Sequence, residues 1–388
     1  MVSSRRLLAI DWMRGFVMIL MITDHASSAF NAERPWKDSV HLFTPADLPS
    51  TLEFLFRWAS HLCAPTFVFL AGTSLAIKVQ RSLARGEDSW TIDRDLLVRG
   101  AIIASVDVLM ISWLFPDFLL LQVMYVIGLS MMSIVVFRRM KTWAVLSFGL
   151  AVLVGGELLF RDHSMIPMEV VSAGNMANAV LLSAGMFPSP VETLQTWSSI
   201  YVAYPLLPWM AIMLLGWVFG QLLQSWEGAE DRDRKATRFL LKTGLGALGL
   251  FAMVRGWNSY GNLSLLRLDG SLVEWLRVSK YPPSLSYVAL ELGCMALLLA
   301  LFFRLQSSSR FNERPNSPLL VFGQTAFFFY VAHMPLLDLT ARALGMHKQA
   351  GLAAAALASI LGLAVMYPLC RWYRELKRAH PASILRYG

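Results

Sequence analysis

The chain has 388 residues, 56% of them hydrophobic and only 15% charged, with a formal net charge of +8. A soluble domain carries about 25% charged residues, so a water-soluble core is excluded, and the positive balance reads as basic loops at a membrane surface, not as a nucleic-acid face. Cys63, Cys294 and Cys370 all lie in apolar segments, which points to small buried hydrophobes, and no disulfide framework follows from them.

The first apolar segment, residues 8–30, carries Asp11, Arg14, Asp24 and His25. Ionisable groups are costly in a bilayer, so each is a functional candidate by default. Eleven helical steps of about 100° separate Arg14 from His25, which places them on one face, roughly 16 Å apart along the axis. Asp11 lies one turn before Arg14 and can pair with it. The plain alternative is two sets of surface anchors, one at each end of a spanning helix. Asp11 and Arg14 also interrupt the uniform apolar run of a cleaved signal peptide, so the segment is read as a retained helix.

Further spans are expected at about 52–77, 96–115, 118–137, 142–160, 199–223, 239–256, 284–303, 318–340 and 350–370, by apolar length. The expected fold is all-α: a polytopic membrane helical bundle of about ten transmembrane helices in a single domain, 1–388. Residues 161–198 are assigned to an external loop with short interfacial helices, and 371–388 to a cytoplasmic tail. With the N-terminus in the cytoplasm, 23 of the 34 Lys and Arg fall in the N-terminus and the connections after even-numbered spans. Both termini are then cytoplasmic. The stripe on the first helix runs from an inner Arg14 to an outer His25, and every histidine but His380 lies in an external loop or an outer half-span.

In the second span His61, Pro65 and Gly72 share a face, and Pro65 leaves the carbonyl of His61 without its helical donor, which invites a kink. Asp107 and Glu291 are read as paired structural acids. Tyr204-Pro205 and Pro208-Trp209 open the sixth span as an interfacial helix ordinarily opens. The loop before the eighth span holds Asn258 and Tyr281; it either covers a site or simply leads into a helix. His333, in the ninth span, falls at the outer depth of His25 and His61. There is no zinc-ligand spacing, P-loop, dinucleotide fingerprint or Gly-x-Ser-x-Gly, so no metal is expected.

Asp11 and Arg14 in Ile10-Asp-Trp-Met-Arg-Gly15, followed by His25, resemble the signature of transmembrane acyltransferases. The phrases at 6–15, 61–73, 204–209, 280–285, 328–333 and 367–373 are similar to a narrower branch, the bacterial relatives of heparan-alpha-glucosaminide N-acetyltransferase. The resemblance implies acyl transfer across the plasma (inner) membrane, from cytoplasmic acetyl-CoA to an external glycan, lipid-linked sugar or similar acceptor. A homo-oligomer is compatible with it. In that frame His25 is the first candidate for the general base and His61 the second, with His41, in the loop where the lysosomal enzyme carries its active histidine, behind them. Asp24 or His61 would orient His25, Arg14 and Asp11 would meet the donor, and His333, Tyr281 and Asn258 would contact the acceptor. A transient acyl-histidine is the alternative chemistry. A secondary transporter of a small polar or glycan-related solute is the alternative function, which predicts inverted repeats.

Overall fold

A computed structural model describes residues 7–34, 50–114, 118–160, 177, 179–188, 199–307, 315–380 and 383. The chain opens with α1 (Leu8–Phe30). Next, α2 (Thr51–Trp58) runs through a 3-10 turn, Ala59–Leu62, into α3 (Cys63–Ala84). Then come α4 (Ser89–Val106), which continues into a π-helical turn, β1 (Phe118–Leu121), α5 (Val123–Phe137) and α6 (Thr142–Phe160). Strands β2 (Gly185–Pro188) and β3 (Ser199–Val202) precede α7 (Leu206–Ser225) and α8 (Arg232–Trp257). The last elements are α9 (Leu272–Leu276), α10 (Leu285–Gln306), α11 (Pro318–Gln324), α12 (Ala326–Ala343) and α13 (Leu352–Ala379).

The all-α polytopic class holds, and a helix or helix pair stands at each of the ten expected spans. Among the described residues six helices are long and apolar enough to cross a membrane, and α11 with α12, bent by 96°, makes a seventh. The α5 and α6 helices are apolar but shorter. Several helix starts have local causes. Ser284 caps α10 by accepting from the amide of Tyr287 at 3.1 Å, and Ser50 caps α2 through Glu53 at 3.2 Å. Pro318 occupies the first turn of α11, where its missing amide costs nothing.

Two expected boundaries move. The segments starting at 118 and 199 begin as strands, and their helices start at Val123 and Leu206. Phe118–Leu121 and Ser199–Val202 are aromatic and aliphatic runs that pair in parallel, and β2 joins antiparallel, giving the order β1-β3-β2. Pro205 then sets the turn into α7. β2 and a π-helical turn, Ala179–Ser183, lie in what was expected to be a loop with helical pieces. Residues 161–176, 178 and 189–198, like His41, lie outside the described residues.

Glycines set the closest helix contacts. A Cβ added at Gly15 of α1 would overlap the carbonyl of Leu319 in α11, and one at Gly323 would overlap the carbonyl of Asp11. Gly72 of α3 and Gly216 of α7 meet backbone in the same way, as do Gly100 and Gly128 between α4 and α5. Polar contacts gather at one end of the bundle. The amide of Ala9 donates to Gln306 Oε1 at 2.8 Å, and Gln306 Nε2 donates to Asp233 at 2.9 Å. Arg81 pairs with Glu227 at 3.1 Å and Arg138 with Asp93 at 2.6 Å. These join the start of α1 to the connections after even-numbered spans, the segments that a single membrane side would hold.

Candidate functional site

The opposite helix ends enclose a cavity of about 540 Å³. Its wall comes from the last turns of α1, one face of α12, the end of α2, the starts of α3 and α5, and the approaches to α7 and α10. Backbone stitching closes one rim: the amides of Lys348 and Ala350 donate to the carbonyls of Ala29 and Phe30, each at 2.9 Å. The wall mixes aromatic faces, among them Phe67, Phe118, Tyr201, Tyr204, Tyr281 and Tyr330, with a set of charged tips. Aromatic walls with a few placed polar groups are what a small-molecule site needs.

His25 lines this cavity, and its Nδ1 lies 2.6 Å from Nε2 of His333. His333, fully buried on α12, sits behind it with Nδ1 2.7 Å from the carbonyl oxygen of Phe329. A carbonyl only accepts, so His333 Nδ1 carries a proton and, in the neutral ring, its Nε2 accepts. His25 Nδ1–H is then the donor, and the lone pair of His25 is left on Nε2. Two histidines 308 positions apart in the chain thereby fix one tautomer on the cavity wall.

The hydrogen bonds of Asp24 go to arginines. Its Oδ1 accepts from Arg34 at 2.9 Å and from Arg57 at 2.5 Å, and all three side chains are buried. The end of α1 is tied to α2 by Asn31 Nδ2 donating to Glu53 at 2.9 Å, which helps place Arg57 on the wall. Asp338 is engaged in the same manner, by Arg342 at 2.6 Å and by His347 at 3.0 Å. Lys280 is held by a tight turn: Ser279 Oγ donates to the carbonyl of Pro282, and the amide of Ser284 to the carbonyl of Ser279, both at 2.9 Å. Beside it the hydroxyls of Tyr281 and Tyr204 lie 3.3 Å apart.

Of the expected site residues, His25, Asp24 and Tyr281 line the cavity and His333 stands directly behind His25. His61 is not on the wall; its ring meets Tyr287 edge-on, and its carbonyl accepts from Tyr287 Oη at 3.0 Å. That carbonyl is the one Pro65 leaves without a helical donor, so the kink signal at His61 is answered by packing. Asn258 is also elsewhere. It ends α8 in the left-handed region at φ 52°, accepts from the amide of Arg267 at 2.7 Å and donates to its carbonyl at 3.1 Å. Asp11 and Arg14 pair at 3.6 Å, and Arg14 also donates to the carbonyl of Leu70 at 3.2 Å and to Ser74 Oγ on α3. Neither lines the cavity.

Asp107 has the structural role expected of it. Its Oδ2 accepts from the amides of Gln122 at 2.9 Å and Tyr125 at 2.8 Å, capping α5 across the chain, and Tyr330 Oη donates to Oδ1 at 3.3 Å. Glu291 is buried on α10, and its Oε1 has no hydrogen-bond partner among the described residues. Sequence reasoning missed the five cations on the wall: Arg34, Arg57, Lys280, Arg342 and Lys348. The available signal was the set of ten Lys and Arg assigned to the external side, half of which converge here. Among the described residues no cluster of three or more His, Cys, Asp or Glu could hold a metal ion.

Residues 6–253 match the family described as "Heparan-alpha-glucosaminide N-acetyltransferase, catalytic". No curated protein matches the chain. The matched stretch contains His25, Arg34 and Arg57, whereas Lys280, Tyr281 and His333 lie beyond it and complete the same cavity.

Proposed function

We propose, because the chain belongs to the heparan-alpha-glucosaminide N-acetyltransferase catalytic family and is a multi-pass membrane acetyltransferase, that His25 is the general base of an acetyl-CoA-dependent transfer. The observation that carries this reading is the His25–His333 hydrogen bond at the cavity wall. It leaves a lone pair on His25 Nε2, on the ring that faces the space where an acceptor would sit. A positioned histidine base contributes about 10²–10⁴-fold.

In the reaction a hydroxyl or amine of the acceptor gives its proton to His25 Nε2 as its heteroatom attacks the thioester carbonyl of acetyl-CoA. The tetrahedral intermediate collapses, the C–S bond breaks, and the coenzyme leaves as a thiolate that takes up a proton. His333 holds the ring, and the charge that develops on His25 is shared through the hydrogen bond to His333. Holding both reactants in one cavity supplies much of the remaining acceleration. Orientation with both termini in the cytoplasm puts the cavity on the external side, at an inner (plasma) membrane, facing a sugar or other envelope acceptor. Arg14, about eleven helical steps or roughly 16 Å away, and Asp11, one turn further, are assigned to the donor's approach from the inner side.

The test is His25→Ala in purified, folded protein. The expected result is a loss of acetyl transfer from radiolabelled acetyl-CoA to envelope material of about 10²–10⁴-fold, with acetyl-CoA binding retained. Wild-type turnover in that variant removes His25 from the mechanism.

A further inference from the structure

Tyr330 of α12 lines the cavity and lies one helical turn before His333. Its ring meets His333 edge-on with centroids 6.0 Å apart, while His25 stacks on His333 at 4.9 Å. His25 and Tyr330 thus adjoin one buried ring and line one space. What the Tyr330 hydroxyl can offer that space is set from behind. Its one proton goes to Asp107 Oδ1 at 3.3 Å. Asp107 is fully buried and takes two more donors on Oδ2, the amides of Gln122 and Tyr125. A carboxylate accepts and does not donate, so the bond runs from Tyr330 to Asp107. The backbone of Asp107 is fixed as well. It opens the π-helical turn Asp107–Ile111, and its carbonyl accepts from Ser112 Oγ at 2.7 Å. Such turns are frequent at functional sites.

With its proton committed to Asp107, Tyr330 Oη presents only lone pairs to a ligand. His25 Nε2 presents a lone pair to the same space. A molecule that meets both must carry two X–H groups close together. A sugar does so on neighbouring carbons; a simple alcohol or amine does not. We propose that Tyr330 is a specificity-determining contact of the acceptor site, accepting a hydrogen bond from a second hydroxyl of a sugar whose nucleophile faces His25. Asp107 is the positioning residue that sets the direction of that bond. The role of the nucleophile rests on the acetyltransferase reading, whereas the hydroxyl contact is a matter of binding alone.

The probes are glucosamine, its 3-, 4- and 6-deoxy analogues and the matching fluorinated sugars. Each is titrated calorimetrically into the full-length protein in detergent, with coenzyme A present. In wild type, removal of one hydroxyl should raise Kd by about fivefold or more. Fluorine at that position accepts but cannot donate, so it should not restore binding. Tyr330→Phe keeps the ring and should bind glucosamine and that deoxy sugar equally. In Asp107→Asn the side-chain oxygen stays with the two amides and the new NH2 donates to Tyr330. The proton of Tyr330 then turns toward the ligand, and the fluorinated sugar should bind tighter than the deoxy one. This inversion is a result that loss of packing cannot imitate. Equal losses for every deoxy sugar in wild type and Tyr330→Phe overturn the contact. Restoration by fluorine in wild type, or no binding of glucosamine, overturns it too. Failure of the acetyltransferase reading looks different: no acetyl-CoA binding and no transfer, with the pattern among the deoxy sugars intact.

Discussion

Replacing His333 by Phe removes one acceptor, the Nε2 that lies 2.6 Å from His25 Nδ1, while keeping an aromatic ring of similar size in a fully buried position. His25 then has a donor on its inner side with nothing to receive it. An unsatisfied buried donor costs about 1–3 kcal/mol. The ring escapes that cost by turning or by moving its proton, and both escapes take the lone pair away from the acceptor. At about 1.36 kcal/mol per decade, kcat should fall roughly 5- to 150-fold, with KM for acetyl-CoA unchanged. His333→Gln should recover part of the loss, because a carboxamide oxygen accepts the same proton. The assay is single-turnover transfer of labelled acetyl groups, read with the unfolding midpoint to exclude collapse of the helix packing. Adding His333→Phe to His25→Ala should lower the residual rate no further, because the two residues act as one unit. Wild-type kcat in His333→Phe, or full additivity in the double variant, refutes the tautomer argument.

Asp24→Asn should leave Arg34 and Arg57 buried without their shared counter-charge; a broken buried pair costs about 3–5 kcal/mol, seen as a lower unfolding midpoint even with ligand bound. Gly323→Ala should push α11 off α1, because the new methyl would overlap the carbonyl of Asp11; folded yield should drop sharply, whereas Gly246→Ala, which meets open space, should keep it. Tyr287→Phe should cost about 1 kcal/mol through the lost bond to the His61 carbonyl, with kcat unchanged; a large fall in kcat would return His61 to the mechanism. Asn258→Gly keeps the left-handed backbone that ends α8, so KM for any acceptor should stay at the wild-type value in steady-state assays.

The helices were legible in the sequence because apolar length is a strong signal, and the basic loops supplied an order for their ends. The small sheet was not: Phe118–Leu121 and Ser199–Val202 are short apolar runs that serve equally as the first turn of a spanning helix. The site was half legible. His25 stood out because a histidine and three charges on one apolar helix demand a reason. His333 was visible as a residue but not as a partner, since no local pattern links positions so far apart. The signal at His61 came from Pro65, and it described a carbonyl needing a donor, which Tyr287 supplies. The wall cations were hidden by their surroundings. Arg34, Arg57 and Lys280 lie in or beside connecting segments, where basic residues ordinarily face water, and only the folded chain turns them inward.

The span of 308 positions between the paired histidines also has a consequence for the making of the protein. Chains are extended at about 5–20 residues per second, so His25 leaves the ribosome roughly 15–60 s before His333 exists. Asp24, Arg34 and Arg57 can find one another within the first few dozen residues, so the charged floor of the cavity assembles early and without help from later helices. His25 stays without its histidine partner until α12 arrives. A nascent chain, or one cut short before α12, therefore holds a charge-paired first helix but not the His25–His333 pair. Completion of the polypeptide is therefore what brings the two histidines together.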